Sequence, residues 1–192
     1  TAGVRYLFAL PFAWGYLYWV WQTFDVALPQ LNTQFIQYAS IASVSQLIGT
    51  ACLVAAFRYR NFAVATSLAK TEAIQVAAIG ALMFSAPLSG FGWFSVVVGV
   101  VGVILLSKVK FSLLDLFANP GAGYGLASGL GLAITTLLIR ESSLALNTHL
   151  MLSAAVTLVF LVTMQSLLAL IYLLIKDRKQ LGLMLTNWRL SL

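Results

Sequence analysis

The chain has 192 residues, 61% of them apolar and only 8% charged, with a formal net charge of +6. An ordinary soluble domain carries roughly 25% charged residues, so this chain could not cover a water-facing exterior, and a soluble globular protein is excluded. Its basic residues sit at the ends of apolar runs, where membrane headgroups favour them, so the positive balance is not a nucleic-acid footprint.

A membrane helix needs about 20 mainly apolar residues, within a range of roughly 17–25. Six segments qualify, which predicts an all-α membrane protein with about six transmembrane helices. The first spans about Tyr6–Gln22 and carries Trp14, Tyr16, Tyr18, Trp19 and Trp21. Trp19 and Trp21, nearest its end, read as an interfacial aromatic belt. Trp14 and Tyr18 are four apart, share a face, and are candidates to line a cavity. A polar break with Pro29 runs from Asp25 to Thr33.

The second segment, about Phe35–Phe57, has a polar stripe of Gln37, Ser40, Ser43, Gln46 and Thr50. Three- and four-residue spacing places these on one helical face. Such a face meets another helix or water rather than lipid, so it reads as either interhelical hydrogen bonding or a cavity wall. Cys52, the single cysteine, lies in this run and offers neither a disulfide nor a cysteine metal site.

The third segment, about Asn61–Phe84, holds the most informative residues. Ala65, Ala69, Ala73, Ala77 and Ala81 form a small-residue ridge that admits another helix closely. Lys70 and Glu72 lie near its middle. A charge at bilayer depth costs on the order of 3 kcal/mol on insertion scales, and such groups face a bundle interior or an aqueous path. Two positions apart, they point to nearly opposite sides of the helix, so each needs its own partner. Gln75 shares the Glu72 face. The competing reading is that both charges merely hold helices together.

After a break at Ser85 to Gly90, the fourth segment runs from about Phe91 to Ser107 with Gly99 and Gly102. The fifth runs from about Gly121 to Ile139, with Gly121, Gly125 and Gly129 every fourth residue. These glycines are expected to be helix-packing surfaces. A break from Arg140 to His149 leads to the sixth segment, about Leu150–Ile175, which contains Gln165. His149 is expected to be an interfacial residue. A closed β-barrel would need alternating segments of about ten residues, and these runs are longer and uniformly apolar.

Basic residues alternate with the crossings. Arg58 and Arg60 follow the second helix, Lys108 and Lys110 the fourth, and Lys176, Arg178 and Lys179 the sixth. The first-to-second and third-to-fourth connections have none, and the fifth-to-sixth has only Arg140, next to Glu141. This predicts that the loops after the second, fourth and sixth helices, and both ends of the chain, are cytoplasmic. Thr1 is expected to be an internal position of a longer protein, since no initiator Met or signal-peptide pattern precedes the first run.

Catalytic constellations are absent from the sequence: there is one His, no carboxylate pair at useful spacing, and no metal-ligand cluster. Gly121 to Gly131 is no phosphate loop, because it lacks the Lys-Ser/Thr pair. No enzyme, cofactor or metal site is expected.

The string RNFAVATSLAKTEAIQVAAIGALMFSAPLSGFGWFSVVVGVVGVILLS, Arg60 to Ser107, resembles the closing helices of the first repeat of EamA-like transporters in the drug/metabolite transporter superfamily. Its Thr71-Glu72 pair, the Pro87-Leu88-Ser89 loop and the Gly-rich helix that follows carry the likeness. GAGYGLASGLGLAITTLLIRESSLAL, from Gly121, looks like the opening helix of the second repeat. The resemblance implies a ten-helix inverted-repeat bundle around a central cavity, working by alternating access. Residues 1–107 would be the remainder of the first repeat, 108–120 a cytoplasmic linker and 121–192 the start of the second, matching about helices two to seven. Many relatives carry a Glu shortly before the Pro; here MFSAPLSG has none, so that residue's role is not carried over.

The expectation is therefore a multi-pass transporter in the cell membrane, by resemblance a bacterial inner membrane. It would move a small organic solute through a polar cavity. Glu72, Lys70, Gln75, Gln46, Ser43, Gln37 and Trp14 are the candidate lining residues, and a proton at Glu72 is a candidate coupling ion. Incomplete repeats could pair as a homodimer. The alternative is a non-transporting scaffold or accessory subunit whose buried charges only lock helices.

Overall fold

The computed structural model describes residues 2–24, 27–58, 69, 71–83, 89–107 and 120–176. Its elements are α1 (Ala2–Phe24), α2 (Thr33–Ala56), α3 (Glu72–Met83), α4 (Gly90–Ser107), α5 (Pro120–Ala145) and α6 (Leu150–Lys176). No strand occurs among the described residues, as long uninterrupted apolar runs require when lipid leaves backbone groups no outside partner.

Three helices are long and apolar enough to cross a membrane: Thr33–Ala56 with 24 residues, and Pro120–Ala145 and Leu150–Ile175 with 26 each. At 1.5 Å per residue each exceeds a hydrocarbon core of about 30 Å. The protein is thus all-helical and suited to a membrane. α1 has 23 residues with Pro11 inside, and its polar-tipped Trp and Tyr rings lower its apolar character.

Helix ends follow local chemistry. Pro120 opens α5, at the position where a missing N–H costs nothing. Ser89 caps α4, accepting the Gly92 N–H at 3.2 Å. Asn32 caps α2, its Oδ1 accepting the Phe35 N–H at 2.7 Å. The fifth helix departs from expectation: it does not stop at Ile139 but continues through Arg140 and Glu141 to Ala145. Arg140 Nη1 donates to Glu141 Oε1, so the two charges offset each other on the helix surface and do not break it. The stop comes at Asn147, which takes a left-handed φ of 47° and donates its N–H to the Leu144 carbonyl at 3.2 Å. Asn is one of the few residues besides Gly that enters this region readily.

Packing divides the chain into two compact units, residues 1–44 with 138–192, and residues 45–137. Each draws on both sides of the 108–120 segment. In the first unit, α1 lies antiparallel on α6. Ala13 meets Val159 and Val162, and Val20 meets Leu152 and Ala155. The seven-residue step on both helices is the repeat of a knobs-into-holes seam. The Phe24 ring continues it onto His149, with centroids 4.3 Å apart. Phe35, Ala39 and Leu146 form a further cluster, with Phe35 edge-on to Phe160 at 5.2 Å.

In the second unit, α2 and α5 meet backbone to backbone. A Cβ added at Gly131 would fall 2.9 Å from the Gly49 Cα, and one added at Gly49 would fall 3.2 Å from the Leu132 N. Ser45 Oγ donates to the Gly131 carbonyl at 2.8 Å. Gly121, Gly125 and Gly129 are buried as the fourth-residue spacing predicts. In α4 the expectation is not met among the described residues: Gly99 is exposed, and a Cβ at Gly99 or Gly102 would meet nothing within 4 Å. α3 buries Ala77 and Gly80 but exposes Ala73. Ala69 is buried as well, so the described part of the alanine ridge is covered on either side of Ala73 but not at it.

Candidate functional site

The residues singled out from the sequence fall into both units. On α1, Ala13 and Val20 face α6, which leaves Trp14 and Tyr18 on the other side, 55% and 62% exposed. Tyr18 Oη accepts from Gln22 Nε2 at 3.3 Å, and its ring meets Trp21 edge-on. On α2, Gln37 is exposed, Ser43 is fully enclosed and Gln46 is half-buried. Ser43 Oγ donates to its own helix at the Ala39 carbonyl, 2.8 Å away. That hydroxyl bonds within its own helix, and the bond reaches no second helix.

The polar cluster that the structure does assemble lies in the second unit, where the first turn of α3 meets α5. Glu72 is half-buried, and its Oε1 accepts from Thr136 Oγ1 at 3.2 Å. The same hydroxyl lies 3.0 Å from the Leu132 carbonyl of its own helix. Gln75, one turn beyond Glu72, donates from Nε2 to Thr71 Oγ1 at 3.0 Å. Its Oε1 is buried and has no hydrogen-bond partner among the described residues. A buried amide oxygen left unmatched costs about 1–3 kcal/mol, so its persistence beside a carboxylate marks the spot chemically. Lys70 lies outside the described residues. Among the described residues the ion pair is Arg140 with Glu141, and Glu72 has no cationic partner.

Chemically the cluster can accept. It offers a carboxylate, an amide oxygen and hydroxyls on two helices, so it can hold a proton, a cation or the ammonium or hydroxyl end of a solute. It contains no nucleophile–base pair, and no group of three or more His, Cys, Asp or Glu occurs among the described residues.

Sequence reasoning brought Glu72 and Gln75 together but missed Thr136. The signal was there: Thr135-Thr136 interrupts the fifth apolar run. The glycines of that run drew attention to its other face. Asn32 was also missed. Besides capping α2, its Nδ2 donates to the Ala145 carbonyl at 2.6 Å, so one side chain closes the start of α2 and the end of α5. Gln165 of the sixth segment is 2% exposed on α6. His149 is exposed, with its ring tilted against Phe24, consistent with an end-of-helix residue. No known family model matches the chain, and no curated protein or solved structure matches it.

Proposed function

We propose that this chain is part of a membrane transporter of the drug/metabolite, EamA-like kind, which moves a small organic solute through a polar path by alternating access. The observation that supports it best is Glu72: a half-buried carboxylate on an apolar helix, held by a Thr hydroxyl from α5 and paired with no cation among the described residues. A charge used only for packing would be matched by a fixed counter-charge, because an unmatched one at bilayer depth is expensive. A carboxylate that reaches a hydroxyl on a second helix suits a binding path. Gln75 beside it supplies a neutral acceptor, and Gln46, Gln37, Lys70 and Trp14 are the further lining positions in this reading. The six helices would all cross the bilayer as part of a ten-helix, two-repeat bundle. The loops after the second, fourth and sixth would face the cytoplasm of a bacterial cell, and two copies could pair as a homodimer.

Solute uptake by the full-length protein in proteoliposomes tests this. Glu72→Gln should lower uptake at least about tenfold, the scale of one lost charge-assisted contact, while the folded protein still inserts. Unchanged uptake in Glu72→Gln, Lys70→Gln and the double variant would sink the proposal.

A second reading is favoured by Ser43 and by the Gly49–Gly131 contact. Ser43 bonds within its own helix and Gly49 meets Gly131 backbone to backbone, as in a scaffold or accessory subunit that only holds helices together. Single cysteines at 37, 43, 46, 72 and 75 in a Cys52→Ser background separate the two. Labelling at 72 and 75 by a water-soluble thiol reagent supports the transporter; protection at all five supports the scaffold.

A further inference from the structure

We infer that the groove between the end of α5 and the start of α6 seats one membrane phospholipid with an ethanolamine headgroup. Its phosphate would meet Arg140, its ammonium Glu141, and one acyl chain would follow the leucines of α6. The inference is independent of the transport reading and of Glu72.

The groove has a volume of about 510 Å³, opens to one side, and lies within the first compact unit. Its apolar walls are Ile139 and Leu144 on α5 and Leu150, Leu158 and Leu161 on α6. The hydroxyls along it are already spent. Ser143 Oγ lies 3.1 Å from Ser153 Oγ, Ser153 Oγ donates to the Leu150 carbonyl at 3.2 Å, and Thr157 Oγ1 donates to the Ser153 carbonyl at 2.7 Å. With Ser143 donating to Ser153, all three protons have an acceptor. Such a wall rewards hydrocarbon rather than a polar solute.

Dimensions favour a chain over a helix. From Leu150 to Leu161 the groove runs about 16 Å at 1.5 Å per residue. Its volume then gives a cross-section of about 30 Å², against roughly 80–110 Å² for a helix about 10–12 Å wide with its side chains.

Arg140 stands where a headgroup would lie. The 26 residues of each helix reach about 39 Å, roughly 9 Å beyond a hydrocarbon core. Arg140 is five positions before the end of α5, inside that excess. Its side chain is 55% exposed. Of five guanidinium donors, one is used among the described residues, on Glu141 Oε1. The others suit a phosphate, which arginine grips in bidentate fashion. Charge balance selects the headgroup. A phosphate alone would leave the Arg140–Glu141 pair net negative, whereas an ammonium restores neutrality. An ethanolamine ammonium has N–H groups for the Glu141 carboxylate, and a choline cation has none.

The test uses the full-length protein in phosphatidylcholine bilayers. Phosphatidylethanolamine with a photoreactive acyl chain is the probe, and mass spectrometry locates the cross-links. They should gather at 139–144 and 150–161. Unlabelled phosphatidylethanolamine should displace the probe at least about tenfold better than the same amount of phosphatidylglycerol, and Arg140→Gln should lower labelling at least about tenfold, the scale of one lost charge-assisted contact. Ala154→Trp fills the groove without touching a charge and should also remove the cross-links. Glu141→Gln leaves the arginine unmatched and should turn the preference toward anionic phosphatidylglycerol, a switch that misfolding would not produce. Equal displacement by both lipids means an ordinary lipid annulus and overturns the inference. Labelling unchanged in Arg140→Gln and Ala154→Trp overturns it too. Cross-links that avoid the groove assign it to another protein segment, with the same consequence.

Discussion

Asn32 and Asn147 show how much of this architecture hangs on single amides at helix ends. Asn147 holds a left-handed backbone, φ 47°, immediately after the longest extension of α5 beyond its expected end. A residue with a Cβ and no local hydrogen-bonding group pays roughly 1–2 kcal/mol there, whereas Gly pays none. Asn147→Val should therefore lower the thermal midpoint and Asn147→Gly should hold or raise it, as differential scanning fluorimetry in detergent would show. The Asn32 side chain closes α2 through the Phe35 N–H and satisfies the Ala145 carbonyl of α5. Loss of a cap costs about 1 kcal/mol, and the orphaned carbonyl adds to that. Asn32→Ala should cost more stability than Thr23→Ala, whose hydroxyl only returns to its own helix at the Trp19 carbonyl.

The helices themselves were legible where apolar length speaks, and their neighbours were not. The Leu150 start of α6 matches the sequence reading, because a turn at 146–149 precedes the run directly. The end of α5 was misread because Arg140 and Glu141 look like a break one residue at a time, yet as a pair they neutralise each other. Small residues were equally ambiguous. The glycines of α4 and α5 look alike in sequence, but Gly121, Gly125, Gly129 and Gly131 of α5 are enclosed while Gly123 of α5 and Gly99 of α4 are exposed, since a glycine marks close approach only if another backbone arrives. Gly131 has that backbone in Gly49, 2.9 Å from where its Cβ would stand. Overpacking of this kind costs typically 1–3 kcal/mol, so Gly131→Ala should lower stability by about that amount. Gly123→Ala, which meets nothing within 4 Å, should raise it by up to about 1 kcal/mol through helix propensity. Paired denaturation of the two variants gives the comparison.

At the scale of the whole molecule, the alternation of basic loops makes a prediction that needs no fold. In a Cys52→Ser background, a cysteine at Arg58 should react only from the cytoplasmic side of sealed vesicles, and one at His149 only from the opposite side. Both positions are exposed. Labelling of both from one side would break the six-crossing topology. The sequence by itself determined the solvent and the secondary structure, because apolar composition and run length act locally and additively. It also brought Glu72 and Gln75 to notice, since a polar group in an apolar helix stands out wherever it lies. Only the tertiary structure decided which of those groups have partners. Thr136 reaches Glu72 across 64 positions of chain, and Ser45 reaches Gly131 across 86. Periodicity within one helix carries no information about which face of another helix will come to meet it.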